Sequence, residues 1–166
     1  MYDAECNEID AFIGAYKSLD GIMPPWINHY HRHHQVRWAI LDSNLIQYAE
    51  LCVTIDRQQR DITFCAIHRQ RLFYRLDIVP EFEVHNNPYG AFALGLPPFV
   101  EGPHVHGWPD SREYVRLNGF GTLPYRRQID GLTQTLSDGL AWVANDLKIM
   151  VTGEQRVCHL PEKGLL

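Results

Sequence analysis

The chain has 166 residues, of which 45% are hydrophobic and 21% charged, the proportions of one globular domain able to build a core without disulfides or metals. Its formal net charge of −5 argues against a protein that coats nucleic acid over its whole surface. No run approaches the ~20 apolar residues of a membrane span, and residues 1–5 lack the basic and apolar regions of a secretory signal, so a cytoplasmic protein with no membrane partner is expected. Cys6, Cys52, Cys65 and Cys158 form no C-x-x-C pair and are expected to be reduced and structural.

In chain order, residues 5–19 read as an amphipathic helix, because Ile9, Phe12, Ile13, Tyr16 and Leu19 share one stripe. Gly21 and Pro24-Pro25 end it. The period then falls to two. Residues 35–40, 51–56, 62–66 and 72–78 each alternate apolar with polar side chains, with Asp42-Ser43-Asn44 and Arg57-Gln58-Gln59-Arg60 as turns. Four strands with short polar links predict an antiparallel meander. Residues 80–102, rich in proline and glycine, read as a long functional loop. Residues 103–108 read as one more short strand, followed by turn chemistry at Pro109-Asp110-Ser111 and Asn118-Gly119. Residues 130–148 carry an apolar stripe of Leu132, Leu136, Leu140, Val143 and Leu147, a helix that Asp130 or Thr133 caps. The expected fold is therefore α+β: an antiparallel meander sheet of about five strands, with two helices packed on one face. A single domain spans 1–153, with a polar, frayed tail over 154–166.

The chemistry centres on His104-Val105-His106. Residues two apart in a strand point to the same face, so two imidazoles stand side by side. Such a pair suits acid–base catalysis or metal binding, with His85 as a third ligand in the metal case. The spacing of the carboxylates after the pair, Asp110 and Glu113, and the lack of a glycine frame disfavour a cupin-type site. On the neighbouring strand Arg71, Phe73, Arg75 and Asp77 share one face by alternation, and arginine beside an aromatic ring can pair phosphate and stack a base. Trp108 and Arg112 follow the histidine pair and join Arg71, Phe73, Asp77 and His85 as candidate substrate-binding residues. His29, His31, His33 and His34 read as a solvated surface segment. Phosphate-binding glycine loops, G-x-S-x-G and H-E-x-x-H are all missing, which disfavours P-loop and serine-hydrolase chemistry.

Taken as a unit, Leu41-Asp42-Ser43-Asn44-Leu45, Glu50, Tyr74-Arg75-Leu76-Asp77, His85-Asn86-Asn87-Pro88-Tyr89-Gly90 and Gly102-Pro103-His104-Val105-His106 resemble the TumE-like toxins of bacterial toxin–antitoxin pairs. They are also similar to an uncharacterised family of small bacterial and phage proteins with R-L-D, H-x-N-P and P-H-x-H elements. The resemblance covers about residues 35–150. It implies an RNA-directed toxin neutralised by an antitoxin, with Arg75, Asp77, His85, His104 and His106 at the matching positions. The chain departs from the toxins in its longer 80–102 loop and in Asp110 and Glu113.

The leading expectation is a metal-independent ribonuclease without cofactor. His104 and His106 would serve as general base and acid, and Arg75 would stabilise phosphate charge. The alternative is a non-catalytic inhibitor or binding module, a phage or mobile-element protein that blocks a host protein or nucleoprotein complex. A metal-dependent enzyme using His85, His104 and His106 is the third.

Overall fold

The computed structural model describes residues 1–30, 33–56, 58 and 61–161. The first helix, α1 (Asp3–Gly14), carries Asp3 and Glu5 in its opening turn, where the helix dipole favours acidic groups. It buries Cys6, Ile9 and Phe12. It stops five residues earlier than the hydrophobic stripe suggests. After Gly14, Ala15 is extended and Tyr16 is exposed, and residues 17–19 become a strand, β1 (Lys17–Leu19). Strand pairing overrides the helical pattern here: β1 lies antiparallel to one strand and parallel to another.

Short β2 (Ile27–His29) leads into β3 (His33–Leu41), β4 (Gln47–Asp56), β5 (Ile62–His68) and β6 (Arg71–Ile78). The last four are the expected antiparallel meander, paired in sequence order. The 57–60 turn lies mostly outside the described residues, as do His31 and Arg32. Residues 80–102 are not a plain loop. They hold β7 (Val84–Asn86), a 3-10 turn (Tyr89–Leu94) and β8 (Phe99–Glu101), with β7 and β8 paired as a small second sheet.

Next come β9 (His104–His106), α2 (Trp108–Asn118), β10 (Arg127–Gln128), α3 (Leu136–Asp146) and β11 (Ile149–Met150). The second helix stands where turn chemistry was expected. Proline in a first turn needs no N–H partner, and here Pro109 opens the helix instead of breaking the chain. The third helix begins later than its apolar stripe, because Thr135 caps it by accepting from the Asp138 amide, in place of Asp130 or Thr133.

The fold is thus α+β, with a larger sheet than expected. Among the described residues nine strands replace about five, in the order β10-β9-β6-β5-β4-β3-β1-β11 with β2 on β3. The β1–β11 pair is parallel, so the sheet is mixed. Among the described residues, three α-helices and one 3-10 turn replace two helices. Both α1 and α3 feed a single core with Val36, Trp38, Leu51, Phe64, Tyr74 and Leu76. The other side of the sheet is polar: Arg37 bonds Gln35 and Glu50, and Gln35 bonds Thr54. Residues 154–161 are tied to the body, since Gln155 donates to the carbonyls of Leu19 and Gly21 and the His159 carbonyl accepts from Trp26. Among the described residues no helix is long and apolar enough to cross a membrane.

Candidate functional site

Register builds the site. In the β6–β9 ladder Arg75 stands opposite His106 and Asp77 opposite His104. On the other side of β6, Thr63 of β5 stands opposite Asp77 and Cys65 opposite Arg75. Directly paired residues in a sheet point to one face. Four groups from two strands distant in sequence therefore meet there, while Val105 and Leu76 turn into the core.

The expected exposure of the histidines is not what the fold delivers. His104 is 2% exposed, His106 4% and Asp77 4%. Each imidazole gives one nitrogen to a backbone carbonyl. His104 Nδ1 donates to the Gly102 carbonyl at 2.9 Å, and His106 Nδ1 to the Leu123 carbonyl at 2.6 Å. A ring nitrogen beside a carbonyl carries a proton, which assigns Nδ1–H; in the neutral ring Nε2 then keeps its electron pair, and in the charged ring Nε2 donates as well. Both Nε2 atoms lie 3.5 Å from the same oxygen, Asp77 Oδ2.

Glycine fixes one of these carbonyls. Gly102 has φ +68, and a Cβ on it would come within 3.0 Å of the Glu81 backbone. Only glycine fits both the left-handed backbone and the close approach.

Asp77 is braced from its other side. Oδ1 accepts from the Thr63 hydroxyl at 2.8 Å and from Arg75 Nε and Nη2 at 2.9 and 2.8 Å; Arg75 Nε also lies 2.8 Å from Oδ2. Burial works to raise the carboxyl pKa, but the His106 imidazole, the Arg75 guanidinium and the Thr63 hydroxyl outweigh it and hold Asp77 well below the usual carboxylate range. Burial pulls His104 down to about 4, against the opposing pull of the Gly102 carbonyl and Asp77.

The outer parts are more open. The Arg75 side chain is 45% exposed. The His85 ring packs 4.6 Å from that of His104. Its Nε2 approaches Glu83 at 3.5 Å without the geometry of a hydrogen bond, and the atom is buried and unsatisfied. His85 is placed by β7, where it stands opposite Val100 of β8. The Asn87 side chain donates to the Arg126 and Pro97 carbonyls and accepts from the Arg126 amide. Arg126 in turn donates from Nη1 to the Asn86 carbonyl, and burial lowers its pKa while Asp77 acts to raise it.

Of the nine sequence-derived candidates, five converge: Arg75, Asp77, His85, His104 and His106. Four do not. Phe73 is the extra residue of a bulge, since Ala66 pairs with Tyr74 and Ile67 with Leu72. It is buried against Phe12 of α1, because a bulge breaks simple alternation. Arg71 turns to Glu5 and the Phe120 ring. Trp108 and Arg112 both bond Asp10, clasping α2 to α1. Thr63 and Arg126 were missed; Thr63 lies directly across the ladder from Asp77, and only strand register reveals it.

The converging set offers an aspartate oxygen and two imidazole nitrogens to a metal, and guanidiniums to an anion. A surface cavity of about 690 Å³ lies elsewhere, between α3, β11 and Tyr16, and holds no imidazole or acid. Comparison with protein-family models, curated proteins and solved structures returned no match.

Proposed function

We propose that this protein is an RNA-directed, toxin-like nuclease whose centre is Arg75, Asp77, His85, His104 and His106. The observation that supports it best is the convergence of these five residues, which come from three strands spread over more than thirty positions. Phosphoryl chemistry needs cations that offset charge building on the phosphate, here Arg75 and Arg126. It also needs groups that move protons, here the imidazoles. Arg75 and His85 are the members with substantial exposure, so a phosphate meets them first, and the inner three act from behind. That division of labour replaces two freely exposed imidazoles.

The experiment is direct. Purified protein incubated with end-labelled RNA is expected to cut the strand, and the Arg75→Ala variant to cut at least ~100-fold more slowly while staying folded. RNA left intact by folded wild-type protein would overturn the proposal.

One observation favours a second reading, the non-catalytic binding module. Tyr89 is 99% exposed and Phe92 87%, on the 3-10 turn beside the site. Large exposed aromatics mark partner contacts. A stoichiometric protein partner released by Tyr89→Ser with Phe92→Ser, from a chain that leaves RNA uncut, would select this reading over the nuclease.

A further inference from the structure

We propose that Asp77, His104 and His106 bind one divalent transition-metal ion of the zinc class. The inference rests on this cluster being the functional centre, and not on RNA being its substrate.

Spacing carries the first part. The three candidate ligand atoms all lie within 4.8 Å of one another, and each Nε2 is 3.5 Å from Asp77 Oδ2. Metal–ligand bonds of about 2.1 Å meeting at a tetrahedral angle place ligand atoms about 3.4 Å apart. A direct N–H···O bond would bring them to about 2.9 Å. The separations match ligands around an ion better than partners in a bond.

Orientation carries the second. Each ring has committed its Nδ1–H to a carbonyl, so in their neutral form both rings turn the Nε2 electron pair toward one carboxylate oxygen in a buried place. Arg75 Nε reaches Oδ2 from outside at 2.8 Å, and with both rings neutral the two Nε2 atoms and Oδ2 converge as three electron-rich atoms on a place that suits a cation. A carbonyl-bound Nδ1–H is also the outer support that metal-ligating histidines ordinarily have. Asp77 has the same kind of support, because Thr63 and Arg75 grip Oδ1.

The donor set selects the ion. Two imidazole nitrogens with one carboxylate suit zinc and its neighbours, whereas magnesium and calcium prefer oxygen throughout. Three protein ligands leave a position for water or substrate, the arrangement of hydrolytic zinc sites, where bound water ionises near neutral pH.

The rival place for a metal is the surface hairpin, where His29 stands opposite His33 with His34 beside it. Full-length protein, stripped with chelator and dialysed, is titrated with Co2+ followed by visible absorption and with Zn2+ followed by calorimetry. One ion per chain is expected, with d–d bands of a low-coordinate nitrogen–oxygen site. Asp77→Asn and His106→Asn should each weaken binding at least ~100-fold, while His33→Asn with His34→Asn leaves it unchanged. Zn2+ should also raise the melting temperature of wild type and not of Asp77→Asn, with circular dichroism reporting that the variants fold. Should both site variants fail to fold, Thr63→Val provides the reading, with a ~10-fold loss of affinity expected. No stoichiometric ion, or one that survives Asp77→Asn and is lost with His33 and His34, overturns the metal. Scission by a protein that titration shows to take up no ion would leave the nuclease standing while the metal falls. One tight ion with no scission would uphold the metal and remove the nuclease.

Discussion

Among the described residues two histidine–carboxylate clusters have buried rings, and they are built differently. His68, at the end of β5, has both nitrogens occupied: Nδ1 against the Tyr48 carbonyl at 2.5 Å and Nε2 against Glu8 Oε1 at 3.0 Å. Its ring stacks on Tyr48, and Arg69 approaches the same glutamate. Every group has its partner at bonding distance, so the cluster pins α1 to the sheet and offers nothing further. At the other cluster, two rings share one aspartate oxygen at 3.5 Å. A buried histidine beside an acid is thus ordinary scaffolding. Two imidazoles aimed at one carboxylate oxygen without a hydrogen bond mark the candidate site.

The largest expected effect separates the clusters by function. Asp77→Asn keeps shape and removes charge, so strand scission should fall at least ~100-fold, equivalent to about 2.7 kcal/mol of transition-state stabilisation. His68→Ala should leave the rate per folded molecule unchanged. Single-turnover cleavage with both variants checks this, and equal losses from the two would erase the distinction.

Stability should show the reverse order. His68→Ala strands the Tyr48 carbonyl and the Glu8 carboxylate and removes a stacked ring, a cost of about 2–3 kcal/mol. His104→Ala strands the Gly102 carbonyl and loses ring packing against His85, but Asp77 keeps Thr63, Arg75 and His106, so it should cost less. Urea denaturation of the two variants, compared through the midpoint at constant slope, measures the difference.

The two clusters also differ in how far the amino-acid pattern announces them. The meander of β3 to β6 followed from period-two alternation, and His104 with His106 followed from the same rule. Asp77 and Arg75 shared their strand face by alternation too, and register then set them opposite the imidazoles. The alternation rule failed at Phe73, where a bulge puts the ring into the core. It could not reveal β1, β11 or α2, whose sequences are short or carry turn residues and whose form comes from tertiary pairing. His104 meets His85 and Gly102 of the 80–102 segment and His106 meets Leu123, and nothing local in H-x-H encodes either partner. His68 sat unremarked at a strand end, because its partner Glu8 is sixty residues away.

Damage on the core side of the sheet sharpens the comparison at smaller magnitude. A Cβ at Gly139 of α3 would come within 2.5 Å of Phe64 and 2.6 Å of Ile78. Gly139→Ala therefore overpacks the core and should cost about 1–3 kcal/mol, outweighing its gain in helix propensity of about 1 kcal/mol. Cobalt affinity should not change, because the ligands lie on the other side of the sheet. Thermal melting with and without metal tests both halves, and a parallel loss of affinity would mean that the two sides are coupled.

The smallest effect is a pH dependence at Glu8. Burial acts to raise its pKa, but the His68 hydrogen bond and charge, the Tyr48 hydroxyl and Arg69 prevail, so the folded value lies below the ordinary 4.5. The unfolded chain then binds more protons between the two values, and stability falls with falling pH across that window. Glu8's contribution is complete above about 4.5 and disappears as the pH drops through the folded value. Its carboxylate is partly solvated, so the contribution is at most about 1 kcal/mol. Glu8→Gln should be less stable than wild type at pH 7 and should converge with it in acid, as read from urea midpoints at several pH values. A gap that stayed constant into the acid range would mean that the glutamate holds His68 by shape and hydrogen bonding alone, with its charge contributing nothing.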